Sequence, residues 1–152
     1  MTARRLALGA ALGSLAMLLG AFAFQYLGDL PPCKLCIWQR WPHGIAIVIG
    51  LLAAALPVRG LAWLGGMVVL VGAGIAAYHV GVEQAWWEGP STCSSQGVSG
   101  LSAAELMDQI LTAPLVRCDE IAWSLFGLSM AAWNGVISLF LATIWFAAAR
   151  KP

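Results

Sequence analysis

Four cysteines are the residues of this 152-residue chain whose types and spacing most clearly indicate chemistry. Cys33 and Cys36 form a Cys-x-x-Cys pair directly ahead of a long apolar stretch, and Cys93 and Cys118 lie far apart in the longest polar segment. Cysteines at Cys-x-x-Cys spacing can close a small disulfide ring, and this spacing is typical of reactive thiols. Two such pairs could pass electrons between a water-soluble protein and a carrier dissolved in lipid.

A nearby cation favours the reactive form of the first pair. Arg40 follows Cys36 by four residues, which places both on one face of a helix. A fixed positive charge and the positive end of a helix both favour a thiolate, which is the nucleophilic form. Pro42 must either begin this helix or kink it, and the sequence leaves both possibilities open. The pair therefore indicates a redox centre more than a structural bridge.

Two other interpretations of the cysteines compete with redox chemistry. A zinc site needs four ligands at short paired spacings, whereas the second pair is widely separated along the chain and has no histidine near it, so no metal is expected. Inert disulfides that persist in an oxidising compartment stay open as an alternative. A Cys93–Cys118 bridge of that kind would stabilise the chain by roughly 3.5 kcal/mol in the loop-entropy model.

Composition places the chain in a membrane. It is 61% hydrophobic and 10% charged, whereas soluble domains are about a quarter charged. A helix needs about 20 apolar residues to cross a bilayer, and a span must satisfy its backbone hydrogen bonds internally. The uncharged stretches are 6–28, 41–58, 60–82 and 121–149. They predict an all-α membrane protein with a single transmembrane domain (1–152) and four transmembrane helices, at about 6–27, 37–56, 61–82 and 125–149.

Positive charge predicts the orientation of these helices. Five basic residues fall on one side of the predicted spans, which the positive-inside rule makes cytoplasmic: Arg4, Arg5, Arg59, Arg150 and Lys151. Both termini are then cytoplasmic, and loops 28–36 and 83–124 are periplasmic. Short connections predict an up-down-up-down four-helix bundle. A cleaved signal peptide is the alternative for the first span, but the apolar run exceeds the usual ~7–15 residues.

The second outer loop contains a helix signal. Ser102 and Glu105 have capping-box spacing, and Pro114 ends the pattern. The apolar residues between them share one helical face: Leu106, Met107, Ile110 and Leu111. A short amphipathic helix is predicted, lying on the outer membrane surface or packed over the bundle.

Three sequence segments resemble the disulfide bond formation protein B (DsbB) family. The most specific is Cys33-Lys-Leu-Cys36-Ile-Trp-Gln-Arg40, and Tyr78-His79 and Phe126-Gly-Leu-Ser-Met-x-x-Trp133 are also similar. The likeness covers about residues 6–148. Membrane quinone reductases of the vitamin K type share the general plan but are less similar in these motifs.

The resemblance implies a reaction and a role for each cysteine. DsbB proteins reoxidise a periplasmic thioredoxin-fold oxidase (DsbA) and pass the electrons to a quinone, ubiquinone or menaquinone, in the bacterial inner membrane. It implies that Cys93 forms the mixed disulfide with the partner and that Cys118 resolves it and then reduces Cys33–Cys36. Cys36, beside Arg40, would be the thiolate that meets the quinone.

Two aromatic or ionisable residues are further candidates for the quinone site. His79 lies near the outer end of the third predicted helix, where an ionisable group facing the bundle is functional by default. The resemblance implies that it contacts the quinone or relays protons, and that Trp123 also lies near the quinone; a snorkelling His79 and a packing Trp123 are the alternatives. His43 is expected at the membrane interface, and Glu83 is expected to be a solvated loop charge.

We therefore expect a quinone-dependent thiol–disulfide oxidoreductase that generates disulfides de novo for a DsbA-like partner. The alternatives are a four-helix structural or accessory membrane protein with inert disulfides, and a vitamin K epoxide reductase-like enzyme. The chain has neither a basic tract nor a phosphate-binding loop, so no nucleic-acid partner is expected.

Overall fold

Four long helices make up most of the structure, a computed structural model that describes residues 2–56, 59–90, 93, 102, 107 and 116–151. The helices are α1 (Ala3–Tyr26), α2 (Lys34–Ala55), α3 (Arg59–Glu83) and α4 (Met130–Ala149). All four are long and apolar enough to span a membrane. The predicted four-helix membrane fold is confirmed.

The helices close into a ring in which α1 and α3 each contact both α2 and α4. Small residues permit close approach: a Cβ added at Gly50 would collide with Ala11 of α1, and one added at Gly65 would lie 2.7 Å from the Trp145 ring. Without a hydrophobic drive between helices in lipid, such packing is what holds a membrane bundle together. The fully buried Trp145 fills the space that Gly65 leaves.

Helix α2 begins before the predicted position. It starts at Lys34, and Cys33 is its N-cap, whose Sγ accepts a hydrogen bond from the backbone N–H of Cys36 at 3.2 Å. Pro42 lies inside the continuous helix, so it does not begin it. The proline packs against α3, where a Cβ added at Gly72 would lie 3.0 Å from the Cβ of Pro42.

The prediction that the fourth helix starts near residue 125 is wrong, because α4 begins at Met130. The preceding residues form an antiparallel hairpin of two short strands, β1 (Ser124–Leu125) and β2 (Leu128–Ser129). Its turn residues, Phe126 and Gly127, both have positive φ, which a helix cannot contain. The apolar run continues through the hairpin, and apolarity alone therefore placed the boundary too early.

The predicted amphipathic helix of the second outer loop lies outside the described residues, apart from Ser102 and Met107. It stays a prediction. Cys93, from the same loop, is described and is joined to Cys118 by a disulfide bond.

Candidate functional site

The fold brings the two cysteine pairs together at one end of the bundle. A single buried cluster contains Cys33, Cys93 and Cys118, and Cys36 packs against it. Cys93 and Cys118 are disulfide-bonded, and the Sγ atoms of Cys33 and Cys36 are 2.8 Å apart. Sulfur exchange within one chain requires this proximity of the two pairs.

The two inner cysteines are not equivalent. The Cys33 thiol donates a hydrogen bond to the sulfur of Cys36. This hydrogen bond and then burial raise the pKa of the Cys33 thiol above its ordinary value. Cys33 therefore holds its proton, and Cys36 is the sulfur suited to carry the negative charge.

Arg40 is held in place by α1. Its Nη1 donates to Oε1 of Gln25 at 2.6 Å, and its guanidinium carbon lies 5.0 Å from the centroid of the Phe22 ring. Arg40 and Cys36 line the same cavity, as their spacing on one helical face predicted. The sequence did not reveal that Gln25 and Phe22 contact Arg40, because the sequence of one span does not indicate which of its residues face a neighbouring helix.

This cavity has a volume of about 360 Å³ and is lined by both inner cysteines and by many apolar side chains. The volume lies in the ~300–1,000 Å³ range of small-molecule sites, and the composition fits, since such sites are mostly apolar with a few polar groups. Its apolar lining includes Met17, Ala21, Phe24, Trp123, Met130 and Ile137, and its polar lining includes Cys36, Gln39, Arg40 and His79. The Trp123 ring packs 4.9 Å from that of Phe24, centroid to centroid.

His79 lies between the two cysteine pairs. Its Nε2 is 3.6 Å from Sγ of Cys33 and 3.2 Å from the carbonyl oxygen of Cys118. Nε2 of Gln39 donates to Nδ1 of His79 at 2.7 Å, so the imidazole carries its proton on Nε2 and donates it to the Cys118 carbonyl. The side chain is buried inside the bundle, which excludes the snorkelling alternative.

Glu83 is not a solvated loop charge, contrary to our expectation. Helix α3 continues through it, its side chain is only 5% exposed, and it lines the cavity. Oε2 accepts a hydrogen bond from Oγ of Ser129 at 2.5 Å, and Oε1 is 3.9 Å from Nε2 of His79. Its position four residues after His79, on the same helical face, was the signal that could have identified it.

His43 is likewise buried, not interfacial. Its Nε2 is 3.1 Å from Oδ1 of Asn134, which also accepts from Oγ of Ser138 at 2.9 Å. His43 follows Cys36 by two helical turns, so it points into the bundle from the same face of α2. His43 and Asn134 both line the cavity.

Arg117 and Asp119 flank Cys118 on the exposed side of the site. Arg117 donates two hydrogen bonds to the Asp119 carboxylate, at 2.9 and 2.5 Å. This contact holds the pKa of Asp119 below its usual value. Exposed pairs contribute little to stability, so we assign this one no role beyond orienting the backbone beside Cys118.

The chain is similar to proteins named for disulfide bond formation. The family model for disulfide bond formation protein DsbB matches residues 3–148. Similar relatives, each named disulfide bond formation protein B, come from Methylococcus capsulatus (36% identical, covering 78% of this chain and 76% of the relative) and Hahella chejuensis (30%, 87% and 85%). A third, from Albidiferax ferrireducens, is 29% identical over 97% of this chain and 91% of its own length.

No solved structure matches the chain. The family assignment therefore follows from the near-complete match to the family model and from the curated relatives. The chain belongs to the DsbB family, and it is a disulfide-generating thiol oxidoreductase of the bacterial inner membrane.

Proposed function

We propose that electrons pass from a DsbA-like periplasmic dithiol through Cys93–Cys118 and then Cys33–Cys36 to a membrane quinone. The observation that carries this proposal is the largely apolar cavity that Cys36, Arg40 and His79 line together. The second cysteine pair lies directly beside it, with the carbonyl of Cys118 hydrogen-bonded to His79. The two pairs and the cavity thus form a continuous route.

The first step is exchange between the partner and the outer pair. A partner thiolate attacks Sγ of Cys93, which forms a mixed disulfide and releases Cys118 as a thiolate. The partner's second thiolate then attacks the partner sulfur that is bonded to Cys93, and Cys93 is released. The partner leaves as a disulfide, and the outer pair becomes a dithiol. Cys118 contacts His79 through its carbonyl and is more deeply buried than Cys93, which favours Cys93 as the sulfur that meets the partner. Cys93 is only 5% exposed, so its sulfur must become accessible before the partner can attack it.

The second step moves the two electrons inward. The Cys118 thiolate attacks Sγ of Cys33 in the Cys33–Cys36 disulfide and releases Cys36 as a thiolate. Cys93 then attacks Cys118, which restores the outer disulfide and frees Cys33 as a thiol. Cys36 is the better leaving group because Arg40 lies one helical turn away, and a stabilised thiolate leaves faster.

The third step returns the inner pair to a disulfide. Bound in the cavity, ubiquinone or menaquinone would accept two electrons and two protons and leave as the quinol. The Cys36 thiolate supplies the electron pair, and Cys33 loses its proton as it closes the disulfide. His79 can donate its Nε2 proton only as the nearby Glu83 carboxyl supplies another, so that the imidazole stays neutral throughout. Arg40 supplies fixed positive charge beside an acceptor that becomes anionic during reduction.

Quinone reduction by the purified chain tests this function. We expect the wild-type chain to oxidise a reduced thioredoxin-fold oxidase and to consume added ubiquinone or menaquinone in equal amount, followed by absorbance. Each of the four Cys→Ser variants should lose turnover. Turnover that survives Cys36→Ser would overturn the proposed route.

Replacing the Glu83 carboxyl with an amide is predicted to slow quinone reduction. Glu83→Gln should reduce quinone consumption roughly tenfold, less than the 10²–10⁴-fold typical of a direct proton donor, because Glu83 acts through His79. Glu88→Gln is the matched control, since Glu88 is an exposed carboxylate on the same side of the protein. Single-turnover quinone reduction by the reduced chain measures the effect, and equal rates in the two variants would remove Glu83 from the proton route.

The proposal also includes the orientation, with the cysteines periplasmic and both termini cytoplasmic. In a chain with Cys93 as its only cysteine, a membrane-impermeant maleimide should label intact cells whose outer membrane is permeable. A cysteine-free chain carrying Lys151→Cys should be labelled only after lysis. Reversed labelling would contradict the orientation.

A further inference from the structure

We propose that the reduced Cys33–Cys36 pair and His79 form a binding site for a thiophilic divalent cation such as Zn²⁺, with Glu83 as the fourth ligand. The reduced pair arises during turnover in the function proposed above, and to that extent the inference rests on it. Bound metal would hold the enzyme in its reduced form, since sulfur bonded to the ion is not free to donate electrons.

The three main donor atoms already lie together. Sγ of Cys33, Sγ of Cys36 and Nε2 of His79 are all within 4.8 Å of one another. The 3.6 Å between Cys33 Sγ and His79 Nε2 matches the roughly 3.5 Å expected for sulfur and nitrogen on one tetrahedral zinc. The two sulfurs, 2.8 Å apart, must separate by roughly 1 Å to share the ion. Rotation of the two side chains can provide this, because Cys36 is only partly buried.

Glu83 must turn toward the three donors to complete a tetrahedral set, since its oxygens are not among the atoms that lie within 4.8 Å of one another. Its Oε1 lies 3.9 Å from Nε2 of His79, while Oε2 is held by Ser129. Carboxylate oxygen is an ordinary zinc ligand alongside cysteine and histidine. Two thiolates and a carboxylate give three negative charges, which Zn²⁺ and the Arg40 guanidinium in the same cavity would neutralise together.

His79 can bind the metal through Nε2 once its proton moves to Nδ1, which gives up the hydrogen bond from Nε2 to the Cys118 carbonyl. A ligating histidine normally donates its second ring N–H to an oxygen acceptor, which fixes the ring. Gln39 contacts Nδ1 of His79 at 2.7 Å, and turning its amide over would present Oε1 to an Nδ1–H. Both side chains are about 3% exposed, so water competes little for the ion.

The sequence argued against zinc because candidate ligands are widely separated along the chain, but the fold brings a different set of ligands together. His79 lies 46 residues from Cys33, yet the packing of α3 against α2 places it in contact with the pair. Zinc affinity should depend on the redox state, because a disulfide offers no thiolate to the ion.

Cobalt binding to the reduced chain tests the site. The Cys93→Ala/Cys118→Ala double variant leaves only the inner pair; it is reduced, freed of reductant in detergent and titrated with Co²⁺, whose thiolate charge-transfer and visible bands report tetrahedral sulfur ligation. We expect one Co²⁺ per chain, displaced by one Zn²⁺, and no bands after the pair is oxidised. Absence of the bands in the reduced chain would overturn the proposal.

Two further variants test the ligands. On the same background, His79→Gln should weaken Co²⁺ binding by at least tenfold, and Glu83→Gln should weaken it less, whereas Glu88→Gln should have no effect. Equal affinity in all of these variants would mean an ordinary dithiol site and would overturn the ligand set. Circular dichroism confirms that each variant is folded.

The binding assay contains neither partner nor quinone, so it can fail independently of the proposed function. In a separate assay of the wild-type chain, Zn²⁺ should slow quinone reduction when it is added after the inner pair has been reduced, but not when it is added to the oxidised chain and removed by a chelator before reduction. Inhibition of equal size before and after reduction would place the metal elsewhere.

Discussion

Replacing Arg40 with alanine is expected to slow quinone reduction about a hundredfold while exchange at Cys93–Cys118 keeps its rate. Removing one preorganised group that stabilises developing negative charge typically costs about 10²–10³ in rate, and Arg40 lies in the cavity with Cys36. It also stabilises Cys36 as a leaving group, so transfer from the outer to the inner pair should slow as well. The hydrogen bond and the ring contact of Arg40 are with Gln25 and Phe22 of α1 and not with the outer pair, so exchange there should not depend on it.

Two measurements separate these steps. Stopped-flow absorbance follows quinone reduction by the reduced chain, and non-reducing gels follow exchange of the outer pair with a reduced partner. Lys34→Ala is the matched control, because this cation lies next to the inner cysteines in sequence but is exposed. Gln25→Ala should have an intermediate effect, since it releases Arg40 without removing its charge. Equal loss of both reactions in Arg40→Ala would contradict the separation of roles.

The Arg40 effect also shows what the sequence could and could not predict. The charge-free stretches predicted four spans because water-free hydrocarbon imposes a simple length and composition rule, and all four helices were found. The Cys36–Arg40 relation was predictable because it lies within one helix, where spacing fixes the shared face. By contrast, the contact of Arg40 with Gln25 joins two helices, and nothing in either span specifies their rotation.

Prediction from the sequence fails at the boundaries of the helices and at the buried ionisable residues. The start of α4 depends on the Phe126–Gly127 turn and the Ser129 cap, which are local features inside an apolar run. Glu83 seemed solvated because it is the first charge after a span, yet Ser129 and His79 pack around its carboxylate. Charge marks the approximate end of a span, but it does not show whether a side chain there faces water or the bundle interior.

Replacing Cys118 with alanine is expected to abolish turnover and to accumulate a mixed disulfide between Cys93 and the partner. Without Cys118, the free Cys93 thiolate attacks the disulfide of the oxidised partner, and a strongly oxidising partner favours this adduct. Cys118 is the thiol that would resolve it from this side, since it forms the disulfide with Cys93. A non-reducing gel should show a band at the summed mass that disappears on reduction.

Cys93→Ala is the control that assigns the docking sulfur. Both variants lose the same bridge, so they forfeit the same loop-closure stabilisation of roughly 3.5 kcal/mol and differ only in which sulfur remains. Cys93→Ala should be equally inactive but should form no partner adduct, because Cys118 is buried beside His79 and 1% exposed. An adduct that appears in Cys93→Ala and not in Cys118→Ala would exchange the two roles. The partner would then dock at Cys118, and Cys93 would carry the electrons to Cys33.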